Sequence, residues 1–169
     1  MLKILSEKLP RILKNKKQLQ EKLGVKITNR GKEVFIDGTA EDEYTAEKVI
    51  EALNFGFPFS AALDIKLEDF ILETLNIKDY TRRNDLHRVR ARIIGKEGRA
   101  LKTLSNLSES HIEIKDNNIG IIASAENLKN IQNSIILIIQ GSKHGNVYKG
   151  LEKNKPQEIE DLGLKEVKK

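Results

Sequence analysis

No cysteine occurs in the chain, which excludes disulfides, thiolate zinc sites and cysteine nucleophiles. That absence fits a reducing compartment. Tryptophan is missing as well, and aromatic residues make up only 5% of the sequence. The longest apolar run, residues 135–139, is far too short to span a bilayer. Residues 1–8 hold no long apolar stretch of the secretory kind. A cytoplasmic location is therefore the expectation. The three histidines, His87, His111 and His144, are dispersed and have no cysteine to join them, which argues against a metal site. Ser-His-Asp spacing and paired acids of metal-binding pattern are lacking too, so neither enzymatic activity nor a cofactor is expected.

What the chain does have is charge. Of its 169 residues, 33% are charged and 38% hydrophobic, so it can form one medium domain or two small ones with small cores. The net charge of +5 favours polyanionic partners such as nucleic acid. On charge alone, a surface of solvated lysines reads the same way.

One pattern occurs twice. Residues 2–5 are apolar, and charged helical sequence follows over 6–23, stopping at Gly24 as a C-cap. Residues 25–28 and 33–37 alternate as strands around the turn at 29–31. Thr39 with Asp42 has capping-box spacing, and Ala46, Val49, Ile50 and Leu53 form one helical stripe. In the second copy, residues 70–77 read as a strand. A helix capped by Asn84 or Asp85 runs to Ile94, and another covers 99–107. Residues 111–115 and 119–123 alternate as strands around an Asp-Asn-Asn turn. Ser124 can cap a last helix that buries Leu128, Ile131, Ile135 and Ile138. Each copy thus reads strand, helix, helix, strand, strand, helix, an α+β arrangement of a three-stranded sheet covered by helices. The expected division is a domain over 1–58, a linker over 59–66 with a short helical turn near 61–63, and a domain over 67–150. A charged tail over 151–169 is expected to be disordered, or else to bind a partner. Phe55, Phe57 and Phe59 are expected to pack between the domains.

The run RIIGKEGR at residues 92–99 is the most informative. Two glycines flank two charged residues between two helices. Lacking a Cβ, they let a ligand's backbone approach closely. The helix opening at Arg99 offers free N–H groups to phosphate. Lys96, Arg99 and Lys102 add positive charge, and Arg88 and Arg92 share the helix face leading to the loop. Ile93 and Ile94 would form an apolar floor for bases. Read more blandly, residues 95–98 are only a tight interhelical turn. A nucleotide-binding phosphate loop is rejected, because Ala100 and Leu101 stand where it requires Gly and Lys. His144, beside Lys143, can contact RNA or cap the C-terminus of the helix it follows.

With the strand-turn-strand-helix order that follows it, this segment resembles the KH family, whose signature is Ile-Ile-Gly-x-x-Gly. The likeness covers about residues 69–140. It implies tandem type I KH domains and a clamp on about four nucleotides. The clamp would lie between residues 95–98 and a groove using Ile93, Ile94, Ile112 and Ile114. Residues 95–100, 141–148, 75–80 and 57–63 further resemble the archaeal Krr and partner-of-Nob KH proteins. That resemblance implies RNA binding near the 3′ end of small-subunit rRNA during ribosome assembly. It also implies contacts with a processing endonuclease and with the α subunit of translation initiation factor 2. The first copy departs from the KH pattern. Pro10 or Lys14 stands where glycine is expected, so it reads as a degenerate module that docks protein or packs on the second. Lys14, Lys16 and Lys17 could still touch phosphate or simply face solvent.

Overall fold

The computed structural model describes residues 1–155. Its first half runs β1 (Leu2–Leu5), α1 (Leu9–Lys14), α2 (Lys16–Leu23), β2 (Lys26–Arg30), β3 (Glu33–Asp37) and α3 (Ala40–Phe55). Helix α4 (Phe59–Leu67) follows. The second half runs β4 (Ile71–Asn76), α5 (Leu86–Ile94), α6 (Arg99–Ser108), β5 (His111–Lys115), β6 (Asn118–Ala123), α7 (Ala125–Ile139) and α8 (His144–Lys153).

The two antiparallel sheets have the same plan, β1-β3-β2 and β4-β6-β5. In each, the third strand sits in the middle because the hairpin closes it against the second and the first strand adds to its free edge. Period-two alternation then selects the core. Val34 and Ile36 of β3 and Ile27 of β2 are buried, while Lys26 and Thr28 stay exposed. Caps fix the helix starts. Thr39 Oγ1 accepts from Asp42 N at 3.2 Å, and Ser124 Oγ from Asn127 N at 3.3 Å, each worth about 1 kcal/mol.

Residues 59–66 are not a linker. They fall in α4, whose Ala61, Ala62, Leu63 and Ile65 are buried in the first core. Ile122 of β6 belongs to that same core. The outer face of the second sheet is thus covered by the first half. Phe55 and Phe57 lie over Gly120, where a Cβ would come within 2.8 Å of both rings. Phe55 and Phe57 thus pack between the halves as expected, whereas Phe59 is half-buried against the first core. Polar contacts border the seam: His111 Nε2 to Asp64 Oδ2 at 2.7 Å, Lys115 Nζ to Glu7 Oε2 at 3.2 Å, and Arg11 donating to Phe57 O at 3.3 Å.

The boundary expected after Gly150 also moves. Leu151 is 4% exposed and lies within α8, which continues to Lys153. Val147 and Leu151 anchor that helix in the second core. The rest of the expected tail, residues 156–169, lies outside the described residues. Among the described residues no helix is long and apolar enough to cross a membrane.

Candidate nucleic-acid interface

Helix α5 stops at Gly95 because the backbone there adopts φ 74°, ψ 177°, a region essentially reserved for glycine. A Cβ on Gly95 would also lie 2.5 Å from Ala100 Cβ and 2.8 Å from Ala100 N. Gly95 therefore lets the loop fold back onto the first turn of α6. Gly98 has φ 74°, ψ 11°, and a Cβ there would meet nothing within 4 Å. Its bare face points into open space. Between the glycines, Lys96 and Glu97 are exposed, and Glu97 itself is left-handed at φ 55°. No side chain caps α6, although Arg99 N–H already donates to Lys96 O inside the loop, so it is the positive end of the helix dipole rather than a full set of free N–H groups that faces an anion here.

The basic residues near this loop divide into free and committed groups. Lys96, Lys102 and Lys143 are exposed and make no ion pair among the described residues. Arg99 meets Glu97 at 3.2 Å and Arg88 meets Asp85 at 3.6 Å. Both pairs are solvent-exposed and hold by no more than about 1 kcal/mol, so phosphate can displace the acid. Arg92 is committed elsewhere. It donates to Ile138 O at 2.9 Å and to Ser142 O at 2.6 Å, satisfying carbonyls at the end of α7. Sequence spacing placed Arg92 beside Arg88 as an RNA contact; the structure makes it the clasp between α5 and α7. Arg90 likewise bonds Asn117 Oδ1 in the β5–β6 turn.

His144 does not cap α7, the helix it follows, and instead opens α8. Its Nε2 lies 2.7 Å from Arg92 O, donating to the last turn of α5, which is a different helix from the α7 it follows in sequence. Tyr148, one turn on, faces the His144 ring at 6.1 Å. Burial pushes the Tyr148 hydroxyl pKa up, with the nearby Thr103 of α6 opposing more weakly. Helix α8 thereby braces both helices that flank the loop. No sequence reading anticipated this helix. The i, i+4 pair Val147 and Leu151 was the available signal, weakened by Gly145 and Gly150.

The apolar floor is narrower than expected. Ile93 is 0% exposed and Ile112 5% exposed, so both are core residues that cannot reach a base. Ile94 and Ile114 are half-buried. Helical geometry turns Ile93 inward and leaves its neighbour at the rim, while β5 alternation turns Ile112 and Ile114 to the same face, Ile112 buried in the second core and Ile114 half-buried against it. Strand β5 is an edge strand beside α6. Between them opens a cleft of about 450 Å³ lined by Ser105, Asn106, Ile112 and Glu113, with Phe57 and Pro58 of the first half at its end. The first half's helices are joined by the single residue Asn15, whose side chain bonds Arg11 O at 3.0 Å. Pro10 lies in the first turn of α1 and Lys14 ends that helix, so neither stands in the turn itself.

An α+β module of this order, with a glycine-flanked turn between its first two helices, is a KH-type fold. The model of the PNO1 second KH domain, described as a eukaryotic type KH domain (KH domain type I), matches residues 71–156. The chain belongs to this PNO1-type KH family. It is 26% identical over 147 residues to a KH domain-containing protein of Methanocaldococcus jannaschii, covering 83% of this chain and 65% of that one. It is 33% identical over 108 residues to the pre-rRNA-processing protein PNO1 of Coccidioides immitis, covering 62% of this chain and 42% of that one. The chain thus spans less than two thirds of the length of these relatives. Dim2p from Pyrococcus horikoshii matches with a TM-score of 0.80 and 25% identity, over 90% of this chain and 98% of that one. A chain of the a/eIF2alpha-aDim2p-rRNA complex from the same organism matches with a TM-score of 0.78 and 26% identity, over 90% and 92%.

Proposed function

We propose that this chain binds single-stranded RNA through its second half and acts as a small-subunit ribosome-assembly or rRNA-processing factor in the cytoplasm. The observation that carries the reading is the bare face of Gly98 at the uncapped start of α6, flanked by the free cations Lys96 and Lys102. A sugar-phosphate backbone can lie flush there, as in KH modules that clamp about four nucleotides. Residues 95–98 with Arg99 and Lys102 take phosphates, Arg88 and Lys143 reach flanking ones, and Ile94 and Ile114 line the base side. Ile93, Ile112, Arg92 and His144 hold this surface in place without touching RNA. PNO1 relatives are named pre-rRNA-processing proteins, and the Pyrococcus Dim2p complex contains rRNA. Both support a target in small-subunit rRNA, near its 3′ end by the Krr and partner-of-Nob resemblance.

The first half, through α4, is read as a degenerate KH module, supported by its matching sheet order and its glycine-free turn. It is available for protein contacts. The α subunit of initiation factor 2, present in the Pyrococcus complex, and a processing endonuclease are the candidates. Recovery of either by the chain after RNase treatment supports this adaptor role.

The test of RNA binding replaces Lys96 and Glu97 with Asp. Asp is tolerated in the left-handed region that Glu97 occupies, so the fold is kept while the Lys96 cation is replaced by an anion and the pair goes from neutral to doubly negative. Affinity for a single-stranded rRNA 3′-end oligonucleotide should be lost with an unchanged melting temperature. For the wild type, neutralising about three phosphates gives a log-log salt slope of about −2. Unchanged affinity in the variant overturns the proposal.

A further inference from the structure

A second basic surface lies where the segment leading into α5 meets the end of α7. A cleft of about 400 Å³ is lined by Lys78, Asp79, Tyr80, Thr81, Arg82 and Gln140. Its wall is an ordered strap between β4 and α5. Asn76 Oδ1 accepts from Lys78 N at 2.9 Å, Tyr80 N donates to Ile77 O at 3.1 Å, and Thr81 Oγ1 accepts from Arg83 N at 3.2 Å. Ile77 is buried and Tyr80 is packed half-buried against the second core, so the strap is anchored at its centre. Lys78, Arg82 and Arg83 project from it, exposed, and make no ion pair among the described residues. None of these cations holds the fold together, in contrast to Arg90 and Arg92.

The cleft is linked to the glycine-flanked loop by a short corner of chain. Gln140 lines the cleft, and Ser142, two residues on, holds Arg92. Lys143 follows, exposed, and His144 bonds the carbonyl of Arg92, three residues before Gly95. Lys78, Arg82, Lys143 and Lys96 therefore mark a cationic path from the cleft, around the α7–α8 corner, to the loop. The acids near it are Asp79, on the cleft wall, Asp85, engaged with Arg88, and Glu97, exposed beside Lys96 and engaged with Arg99.

We infer that this cleft binds the phosphate backbone of RNA that continues beyond the groove, extending the footprint past the nucleotides clamped at residues 95–98. The inference rests on the RNA-binding reading above. Charge complementarity selects the occupant: a strand leaving the groove carries one phosphate per nucleotide, and Lys78 and Arg82 are the free cations it meets. The recognition is of backbone, so it adds affinity and register but no sequence preference.

The experiment compares two single-stranded probes on the full chain, one of about four nucleotides filling the groove and one of about twelve extending past it at both ends. Wild-type protein should bind the longer probe more tightly. Its log-log salt slope should be steeper by about 1.4, as expected for two further phosphates on a single strand. The Lys78→Ala/Arg82→Ala variant should bind the short probe as the wild type does, and hold the longer one no tighter than the short one. The Lys96→Asp/Glu97→Asp variant should lose both probes. If the double alanine variant keeps the full advantage of the longer probe, or if wild type shows none, the extension is overturned while groove binding stands. If the Asp variant binds the short probe normally, it is the groove reading that fails.

Discussion

Replacing Gly95 and Gly98 by alanine, one at a time, separates two reasons for a glycine in the same loop. At Gly95 the backbone sits at φ 74°, ψ 177°, where a side chain costs about 1–3 kcal/mol. The new methyl would also lie 2.5 Å from Ala100 Cβ and 2.8 Å from a backbone nitrogen, neither of which is a flexible chain end. Overpacking of this kind adds about 1–3 kcal/mol. A total near 4 kcal/mol corresponds to a melting temperature about 8–16 °C lower for a chain of this size. Gly98→Ala carries only the left-handed backbone cost of about 1–2 kcal/mol, because its Cβ meets nothing within 4 Å. Its melting temperature should fall by about 2–8 °C. Its RNA affinity should nonetheless drop sharply, since the methyl occupies the face proposed for the ligand backbone. Thermal denaturation by circular dichroism, together with fluorescence anisotropy on labelled oligonucleotide, reads both quantities. Equal melting shifts for the two variants, or full RNA affinity in a folded Gly98→Ala protein, would refute the reasoning.

Gly120→Ala places a methyl 2.8 Å from the Phe55 and Phe57 rings, at the seam between the halves. It should cost about 1–3 kcal/mol and quicken proteolysis between the halves, measured by melting and by limited digestion. Glu113 faces the same seam. Burial raises its carboxyl pKa, with Arg11 and Lys8 opposing more weakly. A raised acid binds protons more readily folded than unfolded, so stability falls as pH rises through the carboxylate range. Glu113→Gln should therefore gain stability relative to wild type between pH 4 and pH 7 (roughly the span across a carboxylate titration). A constant difference in melting temperature over that interval would contradict this.

Much of the fold was legible from spacing. Thr39 and Ser124 lie at the helix starts their side chains can cap, and both make the expected bond. Strands at 33–37 and 111–115 follow from alternation, and the loop at residues 95–98 from its glycines. All of these are decided by interactions a few residues apart. Which basic residue is free was a different matter. Arg88 and Arg92 share a helix face, yet Arg92 is taken by carbonyls of Ile138 and Ser142, far away in sequence. His144 reaches back 52 residues to cap α5. Gly120 looked like an ordinary strand residue until two phenylalanines from the other half lay on it.

The sequence by itself determined the repeated strand-helix-helix-strand-strand-helix order of each half, the amphipathic faces and the position of the bare turn, though not α4 or α8, because backbone preference and side-chain period act over one or two turns of chain. Only the tertiary structure decided which cations stay available to a ligand, which isoleucines vanish into the core, and that α8 braces the loop. Those outcomes depend on which distant carbonyls and rings are brought within hydrogen-bond or van der Waals reach, and that proximity exists only after the layers have packed.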